Sequence, residues 1–80
     1  NVPNPFSGET NIPFSLMNNA EVQFVVTDLA GKIVEQRDLG SLQAGDHNIN
    51  FNAGNLANGL YSYSVVINGK AVTKKMSVVK

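Results

Sequence analysis

Eighty residues with six basic and six acidic side chains, one histidine, no cysteine and 42% hydrophobic residues make a small, neutral chain. The missing cysteine removes any disulfide framework, thiolate nucleophile or thiolate metal site, and a pI near 6.8 falls short of the basic footprint of a nucleic-acid binder. No apolar run approaches the roughly 20 residues of a membrane-spanning helix, and no basic-then-apolar export signal opens the chain. A chain of this length is expected to form one domain, residues 1–80, burying only about 60% of the surface its unfolded form exposes. Because Asn1 leads straight into a proline-containing segment without an initiator Met, the chain reads as a fragment of a larger secreted precursor.

Pro3 and Pro5 hold Val2 and Asn4 extended, so the lead-in is stiff, with Phe6 as its apolar anchor. In residues 11–16, Ile12, Phe14 and Leu16 alternate inward. Pro13 removes a ladder donor, which places this strand at a sheet edge. Residues 21–28 form the clearest strand, with Val22, Phe24 and Val26 on one face and Gln23, Val25 and Thr27 on the other. Asp28-Leu29-Ala30-Gly31 reads as a tight turn in which Asp28 accepts from the backbone and Gly31 takes a positive φ. Residues 32–39 return as its hairpin partner, where Ile33 and Val34 cannot both point inward without a bulge. After Gly40 to Gly45 comes a short strand with His47, Ile49 and Phe51 on one face. A polar connection over residues 52–58 has Leu56 as its plug.

Residues 59–67 are strongly β, with Tyr61, Tyr63, Val65 and Ile67 on one face. Asn68-Gly69 is a strong hairpin signal, since both central residues of a type I′ turn need positive φ. The return strand, residues 70–79, puts Val72, Met76 and Val78 inside and Thr73, Lys75 and Ser77 outside, with Lys74 on the inward parity at the sheet rim. Turns every 8–12 residues and the lack of a helical period predict an all-β fold. The expected architecture is a small antiparallel immunoglobulin-like sandwich of six strands, or seven with the lead-in. Its expected core is Phe14, Phe24, Val26, Phe51, Tyr61, Tyr63, Val65, Met76 and Val78.

The charges are unevenly laid out. Residues 1–46 hold all six acids against Lys32 and Arg37, whereas residues 47–80 hold Lys70, Lys74, Lys75 and Lys80 and no acid. In a sandwich the two halves are expected to neutralise each other across neighbouring strands. The alternative is a basic closing strand that meets an acidic partner.

Candidate chemistry is sparse. Asp46-His47-Asn48-Ile49-Asn50 begins like a calcium loop, but Phe51 stands where the turn glycine belongs and Ala57 where the bidentate Glu belongs. With His47 the single histidine, neither a histidine metal cluster nor a Ser-His-Asp triad has much to draw on. The carboxylates are scattered one to a segment, and no glycine-rich phosphate loop occurs. No catalysis, metal or cofactor is expected. Tyr61 and Tyr63 could form a sugar platform, but they share a face with Val65 and Ile67, so core packing is the better account. One tyrosine hydroxyl is expected to tie down a loop.

The order of motifs is more telling than any residue cluster. Pro3-Asn4-Pro5-Phe6, then Asp28-Leu29 with Gly31-Lys32 and Val34, then Gly59 and Tyr61 as a G-x-Y, then Lys75 and Lys80 near the end, resemble the type A C-terminal sorting domain of the Bacteroidetes type IX secretion system. The resemblance covers essentially the whole chain and departs at Val2 and Thr27, where the family often carries an aromatic. It implies a non-catalytic signal that directs a cargo through the periplasm to the type IX translocon. The implied partners are the translocon, its outer-membrane barrel shuttle and a surface sortase, with the cargo ending at the cell surface or in the medium. A monomer without nucleic-acid partners or a membrane span is expected. Gly59, Tyr61, Asn68, Gly69, Lys74, Lys75 and Lys80, all in the closing hairpin, are the candidate recognition residues. Two other readings fit such a pattern: a structural immunoglobulin-like spacer like those of flagellar hook-capping proteins, and a carbohydrate-binding module. Position separates the first from a sorting signal, because a sorting domain ends its polypeptide.

Overall fold

The computed structural model describes residues 8–79. The Pro3-Asn4-Pro5-Phe6 motif, the seventh strand expected of the lead-in, and Lys80 lie outside the described residues. Six strands follow in chain order: β1 (Glu9–Leu16), β2 (Ala20–Asp28), β3 (Ile33–Leu42), β4 (Gly45–Asn52), β5 (Gly59–Ile67) and β6 (Lys70–Val78). They form two antiparallel sheets, β1-β4 and β3-β2-β5-β6. This order matches the B–E and C′–C–F–G arrangement of an immunoglobulin-like sandwich.

The alternation of β2 is carried straight into the core. Val22, Phe24 and Val26 are fully buried, and Phe24 lies edge-on to Phe51 of β4 with ring centroids 5.7 Å apart. That contact joins the two sheets. Ile12, Leu16, Ile49, Tyr61, Tyr63, Val65, Met76 and Val78 complete the layer. Phe14 is the exception among the expected core residues. It is half-buried, packed against the core and stacked on His47 with centroids 5.4 Å apart.

The turns form by the chemistry read from them. At the β2–β3 turn, Asp28 Oδ1 accepts from the amides of Ala30 and Lys32, both at 2.9 Å, and Gly31 takes φ 88°. β3 carries the expected bulge: Val26 pairs with Glu35 and Thr27 with Ile33, leaving Val34 as the extra residue. Val34 turns to the core while Ile33 stays exposed. A second bulge lies farther along, where Val22 faces Gly40 and Gln23 faces Asp38, with Leu39 extra. The strand therefore runs through Gly40 (φ 70°) to Leu42 instead of ending at Leu39.

The two bulges leave Arg37 opposite Phe24. Its guanidinium sits 5.5 Å from the centre of the Phe24 ring, pairs with Glu35 at 2.7 Å, and donates to the Asn50 carbonyl of β4 at 3.1 Å. An inward-facing charged pair thus closes the β3 edge of the sandwich, where a fully apolar strand would invite further pairing.

Candidate functional site

The closing hairpin is built by the residues most characteristic of it. β5 and β6 pair without interruption from Gly59↔Val78 to Ile67↔Lys70. Asn68 and Gly69 have φ of 49° and 85°, the double positive that a type I′ turn requires. Asn68 also anchors the turn to β2: its amide donates to the Glu21 carbonyl at 2.9 Å, and its Oδ1 accepts from the Glu21 amide at 3.0 Å. At the other end Gly59 has φ 155°, a region that L side chains rarely adopt. Two residues later, the buried Tyr61 donates its hydroxyl to the Ala57 carbonyl at 2.7 Å. A tyrosine near the start of this strand, bonded to backbone a few residues upstream, is the tyrosine corner of immunoglobulin-like domains. The G-x-Y is therefore explained by backbone geometry and core packing, and Asn68-Gly69 by the turn.

The lysines are different, because neither the turn nor the buried core is built from them. Lys74 pairs across from Tyr63 and Lys75 from Ser62, so adjacent lysines project to opposite faces of β6. Both are exposed. Among the described residues, the strand beside β6 is β5, whose sequence from Gly59 to Ile67 holds no carboxylate. Within the hairpin, therefore, no carboxylate of β5 lies opposite these lysines. The acids lie on other strands, and Glu35 is paired with Arg37 within β3.

Lys74 lines a cleft of about 250 Å³ between β1 and the β5–β6 hairpin, with Ile12, Phe14, Tyr63, Val65 and Val72 among its walls. The cleft lies where a two-stranded sheet packs on a four-stranded one and the first part of β6, from Lys70 to Lys75, stays exposed while Met76 and Val78 are buried. Val72, expected inside, is consequently 55% exposed although it has the inward parity. Burial raises the Tyr63 phenol above its ordinary value of 10.0. A raised folded pKa means the fold holds this proton more tightly than the unfolded chain does. The associated stability is complete below about pH 10 and is lost as the pH rises through the folded value. Urea curves of the parent and Tyr63→Phe should keep a constant separation up to about pH 10. Above it the parent should lose stability relative to the variant; a flat difference across that range would contradict the assignment.

A second hollow, bounded by Pro13, Phe14, Ser15, Asp46, His47 and Asn48, contains a serine, an aspartate and the histidine. Their bonding does not make a triad. Ser15 Oγ donates to Asp46 at 2.7 Å, and His47 Nε2 lies 2.7 Å from the Gln43 carbonyl. A carbonyl only accepts, so Nε2 carries a proton there. No imidazole nitrogen contacts the serine hydroxyl. Among the described residues, no group of three or more His, Cys, Asp or Glu is placed to hold a metal ion.

A sequence model described as the secretion system C-terminal sorting domain matches residues 2–80. The chain belongs to this family of type IX sorting domains. Comparison with curated proteins and with solved structures returns no significant match. Membership implies export to the cell surface or medium and interaction with the type IX machinery. Among the described residues, no helix is long and apolar enough to cross a membrane. Of the candidate recognition residues, the sorting domain uses Gly59, Tyr61, Asn68 and Gly69 to build the hairpin and presents Lys74 and Lys75 from it. Sequence reasoning missed Arg37 and Glu35, whose inward placement depends on the bulges, and the fully buried Ala53, whose amide bonds the Gly8 carbonyl at 3.0 Å.

Proposed function

We propose that this chain is a non-catalytic sorting domain whose closing hairpin is read by the type IX translocon and its outer-membrane barrel shuttle. In this reading the cargo is carried across the outer membrane and is then either attached by a surface sortase or released. The observation that carries it is the family match over residues 2–80. Exposed lysines on a strand whose neighbour β5 holds no acid give the hairpin a basic surface that a partner can meet. The sandwich acts as the rigid support, holding β6 in one conformation so that a partner need not order it on binding. The Ser15–Asp46 contact and the engaged His47 Nε2 favour a structural role over a hydrolytic one.

Fusion of residues 1–80 to a periplasmically exported reporter tests the proposal in a type IX-competent host and in a translocon-deficient strain. Reporter should accumulate outside the first and stay periplasmic in the second. Equal retention in both strains would remove the sorting role and favour the spacer reading.

A further inference from the structure

The cleft between β1 and the β5–β6 hairpin sets an apolar hollow beside a single charge. Ile12 and Phe14 of β1, Tyr63 and Val65 of β5, and Val72 and Lys74 of β6 are among the walls of its roughly 250 Å³. Of the described residues that line it, Lys74 is the one that carries a charge. Val72 and Lys74 are alternate residues of β6 and so share a face. Both are exposed. Water therefore lies against an apolar slot with an ammonium group next to it.

We propose that this cleft binds a short aliphatic carboxylate, its alkyl tail against Phe14 and Val72 and its carboxylate beside Lys74. The inference goes beyond the sorting role and does not depend on it. Small-molecule sites are concave, mostly apolar and oriented by a few polar groups, and the cleft has that composition on a small scale. Sites for drug-sized ligands begin near roughly 300 Å³, so a short tail suits this volume better than a large ring system. Val72 is 55% exposed and Phe14 half-buried. An alkyl tail laid over them takes apolar surface of both ligand and protein out of water. The head group follows from charge. One lysine balances the single charge of a carboxylate, whereas a phosphate monoester carries about −1.5 to −2 at neutral pH and would be left undercompensated. An amine head would meet Lys74 as a like charge.

The test titrates the 80-residue chain, labelled with ¹⁵N and ¹³C, with hexanoate, hexanol and hexylamine at neutral pH. Hexanoate should shift the methyl signals of Ile12, Val65 and Val72 saturably, with a dissociation constant in the millimolar range. It should bind about tenfold more tightly than hexylamine, with hexanol between them. Lys74→Gln should bring hexanoate and hexanol level, and Lys74→Glu should favour hexylamine. Val72→Thr should weaken all three alike. Because both residues are exposed, these variants should otherwise keep the parent's spectrum. Absence of saturable shifts, shifts centred elsewhere, or equal binding of the three ligands to the parent would overturn the proposal. Contacts from Phe6 to the Val72 methyls in the ligand-free chain would also overturn it, by assigning the cleft to the chain's own opening segment. Concentration-dependent shifts at Val72 without ligand would overturn it in favour of a second copy. None of these outcomes bears on export, which the reporter fusion reads separately.

Discussion

Replacing Phe24 with alanine is expected to cost about 3–5 kcal/mol, a large share of the 4–12 kcal/mol or so that a domain of this size holds. Phe24 has no exposed surface and sits where both sheets meet. Its ring lies 5.7 Å from that of Phe51 on the opposite sheet and 6.1 Å from that of Tyr63 on the same sheet, with the Arg37 guanidinium over it at 5.5 Å. Truncation leaves a cavity lined by aromatic faces and strips the guanidinium of its cation–π partner. Small domains lose about 1–3 kcal/mol per molar urea, so the unfolding midpoint should fall by at least about 1 M. A shift equivalent to less than about 0.5 kcal/mol, the range of surface substitutions, would contradict the burial.

Tyr61 should separate into two roles. Tyr61→Ala removes a buried ring and is expected to cost about 3–5 kcal/mol. Tyr61→Phe keeps the ring and removes only the hydroxyl that donates to the Ala57 carbonyl. That carbonyl belongs to an exposed residue and can turn to water, so the loss should be about 1 kcal/mol. Because the tyrosine is buried, the conservative variant should still be exported like the parent. Folded but unexported Tyr61→Phe would show that the hydroxyl is read directly and that the tyrosine corner is only part of its role.

Much of this fold is legible in the sequence, for reasons that differ between elements. β2 is readable because a period of two with valine and phenylalanine on one face has one solution, and Asp28–Gly31 and Asn68-Gly69 are readable because few residues adopt those turn dihedrals. The tyrosine with a hydroxyl to spare for a loop is readable for the same kind of reason: a buried phenol needs a partner. β3 is harder. A bulge at Val34 follows from two adjacent apolar residues, but the one at Leu39 depends on Gly40 adopting φ 70° beside an Asp38 that caps its amide at 2.9 Å. Once that bulge is missed, Arg37 cannot be placed over Phe24. Val72 and Phe14 show a different limit. Alternation tells which face of a sheet a side chain is on, but not whether a second sheet extends far enough to cover it.

The same limit governs the candidate site. G-x-Y, Asn-Gly and the lysines run together in sequence as one cluster, yet the first two are committed to making the hairpin, and Lys74 and Lys75 point to opposite faces of β6. This also decides which variants are informative. Removing residues 73–80 would delete the buried Met76 and Val78, so lost secretion in that truncation would report unfolding as readily as lost recognition. The lysines can be altered without touching the core.

The central claim, that a folded hairpin presents lysines to the export machinery, is tested most directly by neutralising them in place. Lys74→Gln/Lys75→Gln/Lys80→Gln, fused to the exported reporter, should keep the parent's urea midpoint within the range of surface substitutions, about 0.5 kcal/mol, and yet leave the reporter in the periplasm. A variant that is equally stable and fully secreted would show that the lysines are solvated surface and that recognition lies elsewhere on the domain.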